Sequence, residues 1–60
     1  MRVLLPLSVV CQRVSLSPTT IRDLVREGKF PKPVKLPARR VAWASDEIDG
    51  WIDERLSERA

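Results

Sequence analysis

The 60-residue sequence contains no histidine and one cysteine, which narrows the kinds of site it can form. A lone cysteine excludes a disulfide framework within the chain, and a zinc site built from several cysteine and histidine ligands has no ligand set. A serine or cysteine hydrolase triad also lacks its usual base. The composition therefore argues against an enzyme, and we expect no metal, no other cofactor and no small-molecule substrate.

Long apolar runs are also missing, and nothing approaches the roughly 18 residues that a membrane span requires. The apolar stretch after Arg2 is interrupted by Pro6 and Ser8, and no small-residue cleavage site follows it. We therefore expect a cytoplasmic protein with no membrane partner, in which Cys11 is a reduced thiol packed in the core. A chain of this length predicts one domain, residues 1–60, with a marginal core.

Charge is divided unevenly along the chain. Residues 1–40 carry nine basic and two acidic side chains, a balance of +7, whereas residues 41–60 carry two basic and six acidic ones, a balance of −4. A basic body followed by an acidic segment indicates a polyanionic partner on one face of the molecule.

Apolar spacing and a possible cap predict a first helix over Ser8–Val14. The Ser8 hydroxyl can accept a hydrogen bond from an N–H of the first turn. The apolar residues of this segment follow the i, i+3, i+4, i+7 spacing of one helix face, namely Leu7, Val10, Cys11 and Val14. A β-strand is the alternative, because Val9 is β-branched.

The second helix has the clearest boundaries, and we place it at Pro18–Glu27. Ser17 supplies a capping hydroxyl, Pro18 suits the first helical position, and Gly28 suits the position just after the helix. The apolar stripe is Ile21, Leu24 and Val25, and the opposite face is Thr19, Arg22, Asp23 and Arg26.

A third helix is expected at Asp46–Glu58, with Ser45 as its cap. Acidic residues lie near its start and arginines near its end, which complements the helix dipole. Its apolar stripe is Ile48, Trp51, Ile52 and Leu56. Gly50 costs about 1 kcal/mol relative to alanine in such a position, and a close helix contact would explain it.

Between the second and third helices the sequence predicts a connector and a hairpin. The prolines in Lys29–Pro33 exclude a helix and a central strand, so this segment is a stiff connector with Phe30 turned inward. Two β-prone runs, 34–36 and 41–43, flank a four-residue loop at Pro37–Arg40. An isolated hairpin is barely stable, so this one must lean on the helices.

The predicted fold is mostly α with a small β-hairpin: a winged helix-turn-helix with a two-stranded wing and a C-terminal helix. In this architecture the second helix enters the DNA major groove and the wing lies along the backbone or minor groove. Hydroxyls and arginines of the second helix suit base edges and phosphates. The hydroxyl and arginine candidates are Ser17, Thr19, Thr20, Arg22 and Arg26, and the carboxylate of Asp23 is a further candidate on the same helix. The connector and wing offer point charges for phosphates at Lys29, Lys32, Lys35, Arg39 and Arg40. We expect Phe30, Trp43 and Trp51 to build the core rather than stack on bases.

Several motifs resemble one known family. They are Leu16-Ser17 through Thr20-Ile21, the block from Arg26 to Leu36 that contains Gly-Lys-Phe-Pro-x-Pro, Val41-x-Trp43, and Glu47-Ile48-x-x-Trp51-Ile52. Over residues 5–55 the chain resembles the AlpA-type phage and prophage DNA-binding regulators, which are similar in fold to excisionases and to the DNA-binding part of MerR-type proteins. The sequence departs from the family at Ser15 and Pro37, where glycine is frequent, at Arg22, often aromatic, and at Asp23, often basic.

These features predict a sequence-specific double-stranded DNA binder of phage or mobile-element origin, with helix 18–27 in the major groove and hairpin 34–43 on the backbone or minor groove. The resemblance implies a transcriptional regulator or an excisionase-like factor. Asp23 would pair with Arg22 or Arg26, or accept a hydrogen bond from a cytosine amine. Expected partners are DNA, further copies of the chain on DNA, and a recombinase or RNA polymerase. The alternative is an adaptor of anti-repressor type that docks through its acidic C-terminal helix.

Overall fold

Three helices and three short strands make up the computed structural model of the protein, which describes residues 2–59. In chain order they are β1 Leu4–Pro6, α1 Leu7–Val14, α2 Pro18–Arg26, β2 Val34–Leu36, β3 Arg40–Ala44 and α3 Ser45–Ser57. The predicted class, mainly helical with a small β element in a winged helix-turn-helix layout, is confirmed. In the described range no helix combines the length and apolar character needed to cross a bilayer.

The sheet has three antiparallel strands in the order β1-β3-β2, so the predicted two-stranded hairpin is present and also pairs with a strand, β1, that was not predicted. Leu5 lies opposite Trp43 on one side of β3, and Val34 lies opposite Ala42 on the other. We call β2, β3 and the turn between them the wing. β1 is not predicted from the sequence, because a short apolar run without alternation does not distinguish a strand from a helix.

α1 begins one residue before the prediction and is not capped by Ser8. β1 runs directly into the helix, so Pro6 takes the capping position with extended backbone angles and no side-chain cap bond. Leu7 is already helical, which places Ser8 inside the first turn. The apolar face predicted for this helix is confirmed, since Val10 is fully buried and its neighbours on that face are partly buried.

Ser45 is likewise not the cap of α3. The capping position belongs to Ala44, without a side-chain bond, and Ser45 is the first helical residue. The buried Ser45 accepts a hydrogen bond from the Val3 N–H through Oγ, at 3.0 Å, and donates its own N–H to the Val3 carbonyl, at 2.8 Å. This serine therefore extends the attachment of the N-terminal strand to the start of α3.

α2 has the predicted cap and stop, and it ends at Arg26, one residue earlier than predicted. Gly28 has a left-handed backbone with φ of 75°. Its N–H donates to the Val25 carbonyl at 3.1 Å, and the Lys29 N–H donates to the Leu24 carbonyl at 2.8 Å. This pair of bonds is a Schellman ending, in which glycine lets the chain reverse without a Cβ clash.

The core is one cluster of buried side chains contributed by nearly every element. Its members are Leu5, Val10, Ile21, Phe30, Trp43 and Ile48. Cys11 is a half-buried free thiol packed against this cluster, as predicted. Leu56 is an exception to the predicted stripe of α3, because 51% of it is exposed.

The connector is fastened through three aromatic side chains. Phe30 is buried, with its ring centroid 6.4 Å from that of Trp43 and 5.0 Å from that of Trp51, both in edge-to-face geometry. The Trp43 Nε1–H donates to the Pro31 carbonyl at 2.8 Å, and the Trp51 Nε1–H donates to the Lys29 carbonyl at 2.9 Å. The prediction that Phe30 turns inward is confirmed, and the connector is held to β3 and to α3 at once.

Gly50 lies in an exposed part of α3, and a Cβ built there meets no atom within 4 Å. A close helix contact therefore does not explain this glycine within the described chain.

Candidate nucleic-acid interface

The start of α2 carries two hydroxyls that are organised by helix capping. Ser17 Oγ accepts a hydrogen bond from the Thr20 N–H at 3.2 Å and lies 2.9 Å from Thr20 Oγ1. Because only one of the two hydroxyls donates in that second contact, the other keeps its hydrogen free for an acceptor outside the protein. Both residues are exposed, so such an acceptor has access.

The outward face of α2 is polar. Its four residues are all exposed, namely Thr19, Arg22, Asp23 and Arg26, whereas Ile21 on the other face is fully buried. The predicted division of the helix into an apolar and a polar face is thus present. Asp23 forms no ion pair within residues 2–59, so its predicted pairing with Arg22 or Arg26 is wrong.

The wing presents its basic residues on both faces. Lys35 lies opposite Val41, and Leu36 lies opposite Arg40, and directly opposite residues in an antiparallel pair point to the same face. Lys35 therefore shares a face with Val41, whereas Arg40 projects from the other face. The turn contains residues 37–39, one fewer than predicted, and Arg39 stands in it with φ of 60°.

α2 and the wing meet at a notch of about 240 Å³. It is lined by Leu7, Arg22, Val25, Pro33, Val41 and Trp43. Arg22 is thus the candidate residue of α2 that borders the wing. Sequence reasoning missed the apolar lining, because Val25 resembles a core residue and Val41 resembles an ordinary strand residue.

Ion pairing separates the basic residues into two groups. Arg2, Arg13 and Arg55 are paired with carboxylates of α3 or the residue that follows it, with N···O distances of 3.0, 3.4 and 3.1 Å. Within residues 2–59, six candidate cations have no such partner: Arg22, Arg26, Lys32, Lys35, Arg39 and Arg40. Lys29 is the exception among the candidates, since its Nζ lies 3.4 Å from Glu27 Oε1. All seven of these side chains are exposed.

This arrangement suits a polyanion better than a small molecule. Free positive charge is distributed over α2, the connector and the wing, and no candidate cation is buried in an enclosed site. No group of three or more potential metal ligands occurs in the described part of the chain. An extended ligand that carries regularly spaced negative charges is the class that such a surface can bind.

Comparison with known proteins identifies a family and a phage relative. The model of the family described as prophage CP4-57 regulatory protein (AlpA) matches residues 3–56. Over 44 residues, 73% of the chain, the sequence is 41% identical to the uncharacterized protein ORF88 of Enterobacteria phage P4, and the match spans half of that protein's length. The family match covers nearly the whole chain and agrees with the motif resemblance. The chain belongs to the AlpA family of prophage regulatory proteins.

Proposed function

We propose that the chain binds double-stranded DNA sequence-specifically and regulates transcription or excision for a phage or related mobile element in the cytoplasm. The observation that carries the proposal is the set of exposed, unpaired cations on α2, the connector and the wing within residues 2–59. Arg22 of α2 and Val41 of the wing both line the notch, so these two elements are neighbours. Residues 1–60 act as one DNA-binding domain without enzymatic activity. Family membership supports the regulatory role.

The shapes of the two elements fit the grooves of DNA. A major groove about 12 Å wide admits an α-helix, and α2 offers its polar face for that position. The wing then lies against the sugar–phosphate backbone or the minor groove beside it, as in other winged helix-turn-helix proteins. The sugar–phosphate backbone that separates the major groove from the minor groove would cross the notch between Arg22 and Val41.

The side chains of α2 divide between base and backbone contacts. Arg22 and Arg26 are suited to the paired acceptors of guanine, and the free carboxylate of Asp23 is suited to a cytosine amine. Thr19 adds a hydroxyl on the same face. Ser17 and Thr20, at the start of the helix, are placed to hold a phosphate through their remaining hydroxyl hydrogen.

The cations of the connector and wing serve the phosphates. Lys32, Lys35, Arg39 and Arg40 are exposed and unpaired in the described chain. Lys29 joins them when its exposed ion pair with Glu27 opens, which costs little because surface pairs are worth about 0–1 kcal/mol.

One module of this size contacts only a few base pairs. Stable occupancy of a DNA site therefore requires further copies of the chain, a recombinase or RNA polymerase bound beside it. Each neighbour adds contacts and raises the effective concentration of the module at its site.

Alanine substitutions test the two classes of contact. Arg22→Ala should reduce discrimination against a mismatched base pair by about 1–3 kcal/mol, whereas Arg39→Ala should weaken binding to all duplexes by a similar factor. Fluorescence anisotropy with a duplex enriched by this protein from a random pool, and with mismatched variants of it, measures both effects. Arg59→Gln is the control, since it removes one exposed positive charge outside α2, the connector and the wing.

Equal effects of all three substitutions would assign the affinity to net charge alone and contradict the proposed roles. No enrichment of any duplex from the pool would reject sequence-specific DNA binding itself.

A further inference from the structure

A second and larger hollow, of about 600 Å³, lies between the connector and α3. We call it the α3 groove. Gly28, Lys29 and Pro31 line it on the connector side, and Glu47, Gly50 and Trp51 are among its lining residues on the helix. Residues 47, 50, 51 and 54 all line the groove, and their spacing of three and four places them on one face of α3.

Gly50 is the first observation that the proposed DNA contacts leave unexplained. Glycine destabilises the interior of a helix relative to alanine, and here its φ is not in the left-handed region that would require it. No atom lies within 4 Å of a Cβ built at this position, so packing within the described chain does not require it either. A glycine in the middle of a groove leaves the helix backbone open to close approach by another molecule.

Trp51 and Arg55 show which chemistry the groove accommodates. The Arg55 guanidinium carbon lies 5.0 Å from the centroid of the Trp51 ring, and its Nη2 lies 3.1 Å from Glu58 Oε1 and 3.6 Å from Glu54 Oε2. The Trp51 ring is held in place by its bond to the Lys29 carbonyl. A guanidinium against an aromatic face and next to carboxylates is a favourable arrangement, and a second molecule can supply one in the same way.

The charges around the groove favour a cationic occupant. Lys29 is neutralised by Glu27, and Arg55 neutralises only one of its two carboxylate partners. Glu47 forms no ion pair within residues 2–59. The segment from residue 45 to residue 59 carries six acidic and two basic side chains, so phosphate groups are repelled from it.

We propose that the α3 groove docks an arginine-bearing, partly apolar segment of a partner protein. An arginine of that segment stacks on Trp51 or replaces Arg55 there, its charge is met by Glu47 and Glu54, and its backbone passes over Gly50. Apart from Lys29 at its edge, the cations that we assign to DNA lie outside the groove lining, so the module can hold DNA and a protein at once.

Amide and indole NMR spectra of the full chain test this with a defined probe, a 12-residue peptide of arginine, leucine and alanine. The peptide should shift the indole N–H signal of Trp51 and the amide of Gly50, whereas the amide of the fully buried Val10 in α1, outside the groove lining, serves as an internal control. The same peptide with citrulline in place of arginine should bind at least fivefold more weakly, because citrulline keeps the shape and lacks the charge.

Substitutions then distinguish the groove from general attraction to an acidic helix. Gly50→Ala should lower the peptide affinity at least threefold while raising Tm by about 4 °C, since alanine favours the helix. Gly50→Gln, which fills more of the groove, should lower the affinity further. Glu47→Gln should weaken binding, whereas Asp53→Asn, which removes the same charge from α3 outside the groove lining, should leave it nearly unchanged.

Equal losses for Glu47→Gln and Asp53→Asn, or full affinity in Gly50→Ala, would overturn the proposal. A stronger shift of the Trp51 indole with duplex DNA than with the peptide would also overturn it, because the groove would then belong to the DNA interface. Failure of the peptide to bind would overturn the docking proposal alone, because the DNA measurements with Arg22→Ala and Arg39→Ala do not depend on it.

Discussion

Single residues with left-handed backbone define both tight turns of the proposed interface. Ser15 has φ of 59° and ends α1, which lets the Leu16 N–H reach the Cys11 carbonyl at 3.2 Å. Ala38 and Arg39, with φ of 62° and 60°, form the tip of the wing. None of the three is glycine, and a Cβ in this conformation crowds the backbone. Each of these positions therefore carries strain that glycine would relieve.

Ser15→Gly should stabilise the protein by about 0.5 kcal/mol, because relief of the left-handed strain exceeds the entropy that glycine adds to the unfolded chain. For a domain of this size, thermal unfolding followed by circular dichroism should show a rise in Tm of about 2–4 °C. Ser15→Ala is the control, since it keeps the Cβ, and it should give no increase. A rise with alanine as large as that with glycine would show that loss of the hydroxyl is responsible.

Serine shows how far residue-level prediction extends. The prediction of Ser17 as a cap is confirmed, because the next residue, Pro18, marks the helix start within the same local sequence. Ser8 and Ser45 carry the same hydroxyl and are not caps, because a strand runs directly into each helix and the capping position goes to Pro6 and to Ala44. Where a strand leads directly into a helix, the helix start depends on how that strand pairs with distant strands. The local spacing of residues does not show this pairing.

At the scale of elements, the bonds between Val3 and Ser45 join the residue just before β1 to the start of α3. Ser45→Ala should cost about 1 kcal/mol, because the Val3 N–H loses its acceptor in a partly buried position. Ser8→Ala removes an exposed serine with no cap bond and should change the free energy of unfolding by less than about 0.5 kcal/mol. Urea unfolding of both variants measures the difference. Equal costs would mean that the Ser45 hydroxyl contributes no more than a surface group.

The packing of the three aromatic residues against the core could be predicted from the short length of the chain. Few large apolar side chains are available in so short a chain, so their burial follows from the need for a core. The specific partners did not follow, since each tryptophan N–H bonds a connector carbonyl twelve or twenty-two residues away. The burial of Phe30 and Trp43 and the packing of Trp51 against them therefore follow from the sequence, whereas the bonds that hold the connector to the wing and to α3 come from the structure.

At the scale of the whole molecule, the sequence predicts which surfaces form the candidate site but not how those surfaces meet. The polar face of α2 follows from helical periodicity, and the basic wing follows from composition. The notch that joins them does not, because it depends on how the wing packs beside α2, and neither segment shows this alone. The ion pairs that occupy Arg2, Arg13 and Arg55 also join residues far apart in most cases.

The distribution of free cations predicts a steep dependence of DNA affinity on salt. With about four to six phosphate contacts, log K should fall with log[salt] at a slope of about −4 to −5. Arg39→Ala should reduce the magnitude of this slope by about one, and Arg59→Gln should leave it unchanged. Anisotropy titrations between roughly 50 and 200 mM salt provide the measurement. A slope near zero would be incompatible with binding through phosphates.

The pairing of β1 with β3 also has a consequence for biosynthesis. Val3 and Ser45 are 42 positions apart, and the first strand has no partner until the third has been translated. Val3 and β1 therefore remain unpaired until β3 and Ser45 have been synthesised, because the long loop between them must close before this contact can stabilise the fold. Nascent chains that stop before residue 45 would lack the central strand or its anchor, and cellular proteases would meet them as open polypeptides.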